Sequence, residues 1–256
     1  MLKRSFVNRQ ETAVTLLYKP RSIGEAVAEA RTAESNGADG IAVELSALPA
    51  EERSVEHFRG LIDSVSLPFM FIDYRKDCIC GADDEARQKY LLMAAEAGAD
   101  VIDVMGDLYS PAPNELTFDP EAVARQKKLI EEIHSRGAHV LMSSHAVAGF
   151  VPPEEVLAMM KEQSVRGADI LKVVTKVETE DEFLEAVRTL MLLHREIEKP
   201  FIYLAGGKFG RMIRYMGPKF GVAVEFGPND YKPDGIYNQP TVSSFRKVLD
   251  NLNWEI

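Results

Sequence analysis

The sequence predicts a single-domain (β/α)8 TIM barrel with a parallel eight-stranded sheet, and three observations predict it. Eight short apolar runs recur along the 256-residue chain. Amphipathic helical segments with recognisable start and stop signals separate them. No proline-rich or low-complexity linker interrupts the pattern, so residues 1–256 read as one domain. Near-continuous apolar runs mark strands buried on both faces. Eight such strands alternating with helices fit a closed barrel. A doubly wound open sheet is the alternative, but no Gly-x-Gly-x-x-Gly follows the first run, which weakens its nucleotide-binding form.

Residues 1–12 precede the first run and are placed as a cover over the barrel bottom. The first strand is expected at Val14–Leu17, and Ser22-Ile23-Gly24-Glu25 after it fits a capping box. The helix stop Asn36-Gly37-Ala38-Asp39 leads into the second strand, Gly40–Glu44. The third strand is Phe69–Asp73. Gly98-Ala99-Asp100 ends a helix before the fourth, Val101–Val104. Asp119-Pro120 supplies an N-cap and a proline at the first helical position. Arg136-Gly137-Ala138-His139 precedes the fifth strand, Val140–Ser144. Pro152 and Pro153 open a helix over Glu154–Arg166. After Arg166-Gly167-Ala168-Asp169 comes the sixth strand, Ile170–Val174. Thr179-Glu180-Asp181-Glu182 is a second capping box. Phe201–Ala205 and Val222–Phe226 are the seventh and eighth strands. The glycines before the strands suit a left-handed helix C-terminus.

Composition narrows the function classes. The net charge is −10 and 46% of residues are hydrophobic. An acidic chain is a poor match for nucleic acid or anionic membranes, so neither is expected as a partner. An acidic small-molecule substrate stays open, because a pocket can be locally basic. Cys78 and Cys80 are one residue apart, and a disulfide across that spacing would be strained. They read as free thiols in a reducing compartment. Without an apolar signal segment or a membrane-length apolar run, the chain reads as soluble and cytoplasmic.

The chemistry points to Lys172 and His145. Lys172 interrupts the apolar run Ile170-Leu171-Lys172-Val173-Val174. An ammonium is strongly hydrated, and desolvation lowers its pKa toward a neutral amine able to attack a carbonyl. His145 follows the preceding strand. Each residue has a bland alternative. Lys172 could reach solvent from a strand end, and His145 could simply hydrogen-bond to nearby loops. Their placement on consecutive strands favours an imine-forming, proton-shuttling site. Barrel active sites lie at the C-terminal strand ends. That adds Glu44, Asp73, Arg75, Asp103, Lys208, Arg211, Arg214 and Gln239 as candidates. The five histidines are scattered, so no metal site is expected.

These segments resemble type I 3-dehydroquinate dehydratase, a Schiff-base enzyme family of the shikimate pathway. Met142-Ser143-Ser144-His145 is similar to its Ser-x-His. Ala168-Asp169-Ile170-Leu171-Lys172 is similar to its Ala-Asp-Ile-x-Lys. Gly207 to Arg214 resembles its Gly-x-x-Ser-Arg segment, and Asn238-Gln239-Pro240 its Pro-Gly-Gln. The resemblance implies dehydration of 3-dehydroquinate to 3-dehydroshikimate without metal or cofactor. It implies that Lys172 forms the imine and that His145 is general base and then acid. Arg214 would grip the substrate carboxylate with Gln239 assisting, and Glu44, Ser46 and Arg75 would line the side that reads hydroxyls. It also allows a homodimer.

Ala146 follows the histidine where the family has Asp or Asn, and Ile213 precedes Arg214 where it has serine; the other departures lie on that hydroxyl-reading side. Ser46 stands where the family has arginine, and Met105 where strand four has an acidic residue. The family's Phe-Arg-x-x-x-Glu-Gly-Gly becomes Tyr74-Arg75-Lys76-Asp77-Cys78-Ile79-Cys80-Gly81. That glutamate sets the histidine in the family. With Ile79 in its place, Asp73 or Asp77 is expected to orient His145. The sequence leaves two alternatives open: a Schiff-base dehydratase or aldolase for another cyclic or polyhydroxy keto acid, and a ligand-binding sensor on the same fold.

Overall fold

The computed structural model describes residues 5–231 and 239–252. Eight strands form one parallel sheet: β1 (Ala13–Tyr18), β2 (Gly40–Glu44), β3 (Phe69–Ile72), β4 (Val101–Met105), β5 (His139–Ala146), β6 (Ile170–Lys176), β7 (Phe201–Gly206) and β8 (Val224–Gly227). Each strand pairs with the next, and β8 returns to β1 with Ala13 opposite Val224. A bridge from Phe201 to Val222 joins β7 to the segment entering β8. The result is a (β/α)8 barrel. Its outer helices are α1 (Ile23–Ser35), α2 (Val55–Ile62), α3 (Asp84–Ala97), α4 (Pro120–Ser135), α5 (Pro153–Val165), α6 (Glu180–Glu196), α7 (Gly210–Met216) and α8 (Val242–Leu249).

The expected helix signals are realised with one modification. Thr179 and Glu182 form a reciprocal capping box, and Asp119 caps the helix that Pro120 opens. Ser22 accepts from the Glu25 amide, but the Glu25 carboxylate bonds to Tyr18 and to the Arg21 amide instead of its own cap. Gly37, Gly98, Gly137 and Gly167 all take positive φ at the helix-to-strand turns. That conformation is strained for a residue with a Cβ.

Alternation along the strands sorts side chains into two layers. The barrel interior holds Ala13, Ala42, Met70, Ile72, Val101, Leu141, Ile170, Ile202, Leu204, Val224 and Phe226. Phe6 joins this cluster and is 1% exposed. Its amide donates to Asp100 Oδ2 at 2.7 Å. A Cβ at Gly40 would overlap the Phe6 ring, so the glycine makes room for it. The opposite strand faces pack on the helices through residues such as Val43, Phe71, Val104, Met142, Val173 and Tyr203.

Of the strands that run past their apolar runs, β5 and β6 extend furthest at the C-terminal end. β5 continues through His145 to Ala146, and β6 continues to Lys176. Pairing between them extends from Leu141–Ile170 to Ala146–Thr175. Polar side chains at these positions hide the strand from a hydrophobicity pattern, while the backbone ladder continues. Lys172 therefore lies inside the strand, opposite Ser143, with its side chain in the barrel.

Candidate active site

The inward parity of each strand carries the polar residues upward from the apolar plug. Two positions beyond Val101, Leu141 and Ile170 stand Asp103, Ser143 and Lys172. His145 lies two further along β5, and Glu44 two beyond Ala42. Tyr74, two beyond Ile72, completes the set. The Lys172 ammonium donates to the Tyr74 hydroxyl at 2.9 Å and lies 3.7 Å from Asp103 Oδ2. The Tyr74 oxygen is 3.3 Å from Asp103 Oδ2 and 3.4 Å from His145 Nε2. Ser143 donates to Asp103 Oδ1 at 2.6 Å.

Lys172 is 4% exposed. Burial pushes its pKa below the ordinary value, and Arg214 adds to that, while Asp103, Glu115 and Glu44 pull the other way. Burial pushes the Asp103 carboxyl up, against Lys172, the Ser143 bond and His145. Desolvation thus works toward the neutral amine that imine chemistry needs. The Lys172 backbone is fixed from behind by Gln163 of α5. Gln163 accepts from the Lys172 amide at 3.0 Å and donates to its carbonyl at 2.9 Å.

His145 is oriented by Glu115, not by Asp73 or Asp77. Glu115 Oε2 accepts from Nδ1 at 2.6 Å and from the His145 amide at 3.2 Å. Burial works to raise the Glu115 pKa, but the bonds and charge of His145, with Arg75, outweigh it and hold it below the usual range. Glu115 sits in the loop after β4 with φ 51°, next to Asn114 at φ 58°. Such values are uncommon outside glycine and are sustained by surrounding contacts. Here Ser144 Oγ holds the Glu115 carbonyl at 2.9 Å. Asp73 has the opposite parity to Tyr74 and faces the helix layer, where Arg53 lies 3.6 Å away. Asp77 pairs with Arg53 at 2.6 Å and caps the turn at Ile79 and Cys80.

The remaining expected residues are engaged within the protein. Ser46 is buried and donates to Glu44. Glu44 also has Lys19 at 3.6 Å. Arg75 directs its donors to Asp84 and Asp107, with both Asp107 oxygens at 2.9 Å. Nε, Nη1 and Nη2 each donate to these two aspartates. Arg214 of α7 is 4% exposed and lies 3.9 Å from Glu225. Glu225 faces outward from β8 under α7. Neither carboxylate oxygen has a hydrogen-bond partner, nor do Arg214 Nε and Nη1. Gln239 is half-buried at the edge of the described residues, and Asn238 lies outside them. Cys78 and Cys80 are free thiols. Among the described residues no group of three or more His, Cys, Asp or Glu is arranged to hold a metal ion, and no helix is long and apolar enough to cross a membrane.

Tyr74, Glu115 and Gln163 are the members of the site that sequence reasoning missed. Tyr74 was legible as a tyrosine at a phenylalanine position. Glu115 carries no sequence signal, because it reaches the histidine from a loop.

A buried lysine and an oriented histidine on adjacent strands of a (β/α)8 barrel define an enzyme site suited to imine chemistry. The model of the type I 3-dehydroquinase family matches residues 18–254, and the chain belongs to that family. The 3-dehydroquinate dehydratase of Klebsiella pneumoniae subsp. pneumoniae is 26% identical over 202 residues, spanning 78% of this chain and 74% of that one. The one from Clostridium kluyveri is 31% identical over 160 residues, 61% of this chain and 56% of its own. In fold, the crystal structure of 3-dehydroquinate dehydratase from Geobacillus kaustophilus superposes with a TM-score of 0.81 at 19% identity, covering 95% and 92% of the two chains.

Proposed function

We propose that this chain eliminates water from 3-dehydroquinate to give 3-dehydroshikimate through an imine on Lys172. The observation that carries the reading is the convergence of a buried lysine and a histidine within one hydrogen-bonded cluster, in a chain of the type I 3-dehydroquinase family. The neutral amine attacks the ketone, and the carbonyl oxygen leaves as water. The protonated imine withdraws electrons from the adjacent carbon. His145 Nε2, an acceptor because Nδ1–H is bonded to Glu115, then takes the α-proton. It returns that proton to the departing hydroxyl, so a second water leaves and a C=C bond forms. Addition of water to the imine releases the product and restores the amine. Asp103 stays beside the nitrogen throughout and balances its positive charge.

Arg214, with Gln239, is assigned to the substrate carboxylate, for which a guanidinium fork is the apt partner. Glu44 with Ser46 is assigned to substrate hydroxyls. The engagement of Arg75 by Asp84 and Asp107 favours comparing keto acids with different hydroxyl patterns. The test is turnover, followed by ultraviolet absorbance of the conjugated product. Wild-type enzyme should convert 3-dehydroquinate in preference to the other keto acids, and Lys172→Ala should be inactive. Full activity in Lys172→Ala, or preference for another keto acid in the panel, would contradict the reading.

A further inference from the structure

The geometry points to Tyr74 as a catalytic residue: a proton relay that takes the ammonium proton of Lys172 and delivers it to His145 Nε2. The inference rests on the imine mechanism proposed above and adds a step to it. The family segment carries phenylalanine at this position, so the phenol oxygen is a departure of this chain.

The donor and acceptor roles are fixed from both ends. As the ammonium, Lys172 Nζ carries only donors, so at 2.9 Å the Tyr74 oxygen accepts from it. In neutral His145, Glu115 holds the proton on Nδ1 at 2.6 Å, leaving Nε2 with a lone pair toward Tyr74 at 3.4 Å. The one phenolic hydrogen can point at Nε2 or at Asp103 Oδ2, 3.3 Å away. The ring is held edge-on to the imidazole, with centroids 5.0 Å apart at 89°. Burial foremost, then the nearby carboxylates of Asp103, Glu44 and Glu115, keeps the phenol well above its ordinary pKa, so it is a neutral carrier and not a base.

The step balances without a co-reactant. An N–H bond of Lys172 breaks as an O–H bond forms on Tyr74. The original Tyr74 O–H bond breaks as an N–H bond forms at Nε2. Tyr74 begins and ends neutral, Lys172 becomes the free amine and His145 becomes imidazolium. The free amine then attacks the ketone carbon; the new C–N nitrogen gives one proton to the oxygen, the imidazolium gives it a second, and the C–O bond breaks as water departs. Over the whole step, an ammonium and a ketone give a protonated imine and water, and His145 is regenerated as the base for the α-proton.

The experiment measures the rate at which the borohydride-trappable adduct forms with 3-dehydroquinate, in single turnover, across pH. Tyr74→Phe, which keeps the ring, should slow that phase by about a hundredfold at neutral pH, the low end for a lost acid–base group. The deficit should shrink as pH rises, because hydroxide can then deprotonate the amine directly. Damage to packing would not be repaired by pH. Equal rates and superimposable pH profiles would overturn the relay while leaving the imine reading intact. Absence of any adduct in wild-type enzyme would overturn both. A second measurement needs no variant: the dependence of the wild-type rate on the deuterium content of the solvent should be curved, as two protons in flight require. A straight dependence would overturn the relay.

Discussion

Replacing Glu115 tests how His145 is made a base. Its carboxylate makes a charge-assisted bond to Nδ1 at 2.6 Å and a second bond to the His145 amide at 3.2 Å. A hydrogen bond to a charged group contributes about 1.5–3 kcal/mol. At about 1.4 kcal/mol per tenfold, the range corresponds to roughly 10- to 150-fold in rate. Glu115→Gln keeps the chain length, and its amide oxygen can still accept from Nδ1–H, so the loss should sit near the lower figure. Glu115→Ala removes both bonds and frees the imidazole to take the other tautomer, so its loss should approach the upper figure or exceed it. Glu115 is placed behind the histidine and away from the substrate, so the loss belongs in kcat with KM little changed. The assay is steady-state turnover together with borohydride trapping of the Lys172 adduct, which should still form. Unchanged kcat in Glu115→Ala, or a loss confined to KM, would refute the orienting role.

Other predictions concern stability as well as turnover. Asp73 has its pKa pushed up to about 8, chiefly by burial and then by Asp77, with Arg53 and Arg87 opposing. A raised carboxyl pKa stabilises the fold below the unfolded value near 3.9, and that contribution is lost as pH rises toward 8. Denaturation curves for Asp73→Asn should therefore fall less steeply than wild type over this window, where one group gives a slope of at most about 1.4 kcal/mol per pH unit. Parallel curves would remove Asp73 from the account. Arg214→Met should cost about 3 kcal/mol at pH 8, because it strands buried Glu225. Adding Glu225→Met should recover most of that loss in chemical denaturation, and no recovery would mean that the two charges do not act as a pair. Phe6→Ala should cost about 3–5 kcal/mol by emptying the barrel bottom, and an unchanged melting temperature would show that the ring does not seal it.

The barrel was legible because β1 to β8 are buried on both faces and read as apolar runs, and because proline, glycine and capping boxes mark the helix ends. Lys172 and His145 were legible because charge inside such a run is costly. Strand length was not: β5 and β6 continue through polar residues that the apolar pattern treats as loop. The orienting partner of His145 was misplaced for a geometric reason. Asp73 and Asp77 are near the right strand end in sequence, but parity turns Asp73 toward Arg53, and Asp77 closes its own turn. Glu115 reaches the site from a loop whose positive φ values no composition rule anticipates. The engagement of Arg75 by Asp84 and Asp107, and of Arg214 by Glu225, likewise depends on contacts between elements distant in sequence.

The central claim is that Lys172 is the nucleophile. Incubating the enzyme with 3-dehydroquinate and borohydride, then mapping the product by peptide mass spectrometry, tests it most directly. A reduced adduct should appear on the Lys172 peptide in stoichiometric yield, and none in Lys172→Ala. No adduct in wild-type enzyme, or an adduct on another lysine with turnover retained in Lys172→Ala, would contradict it.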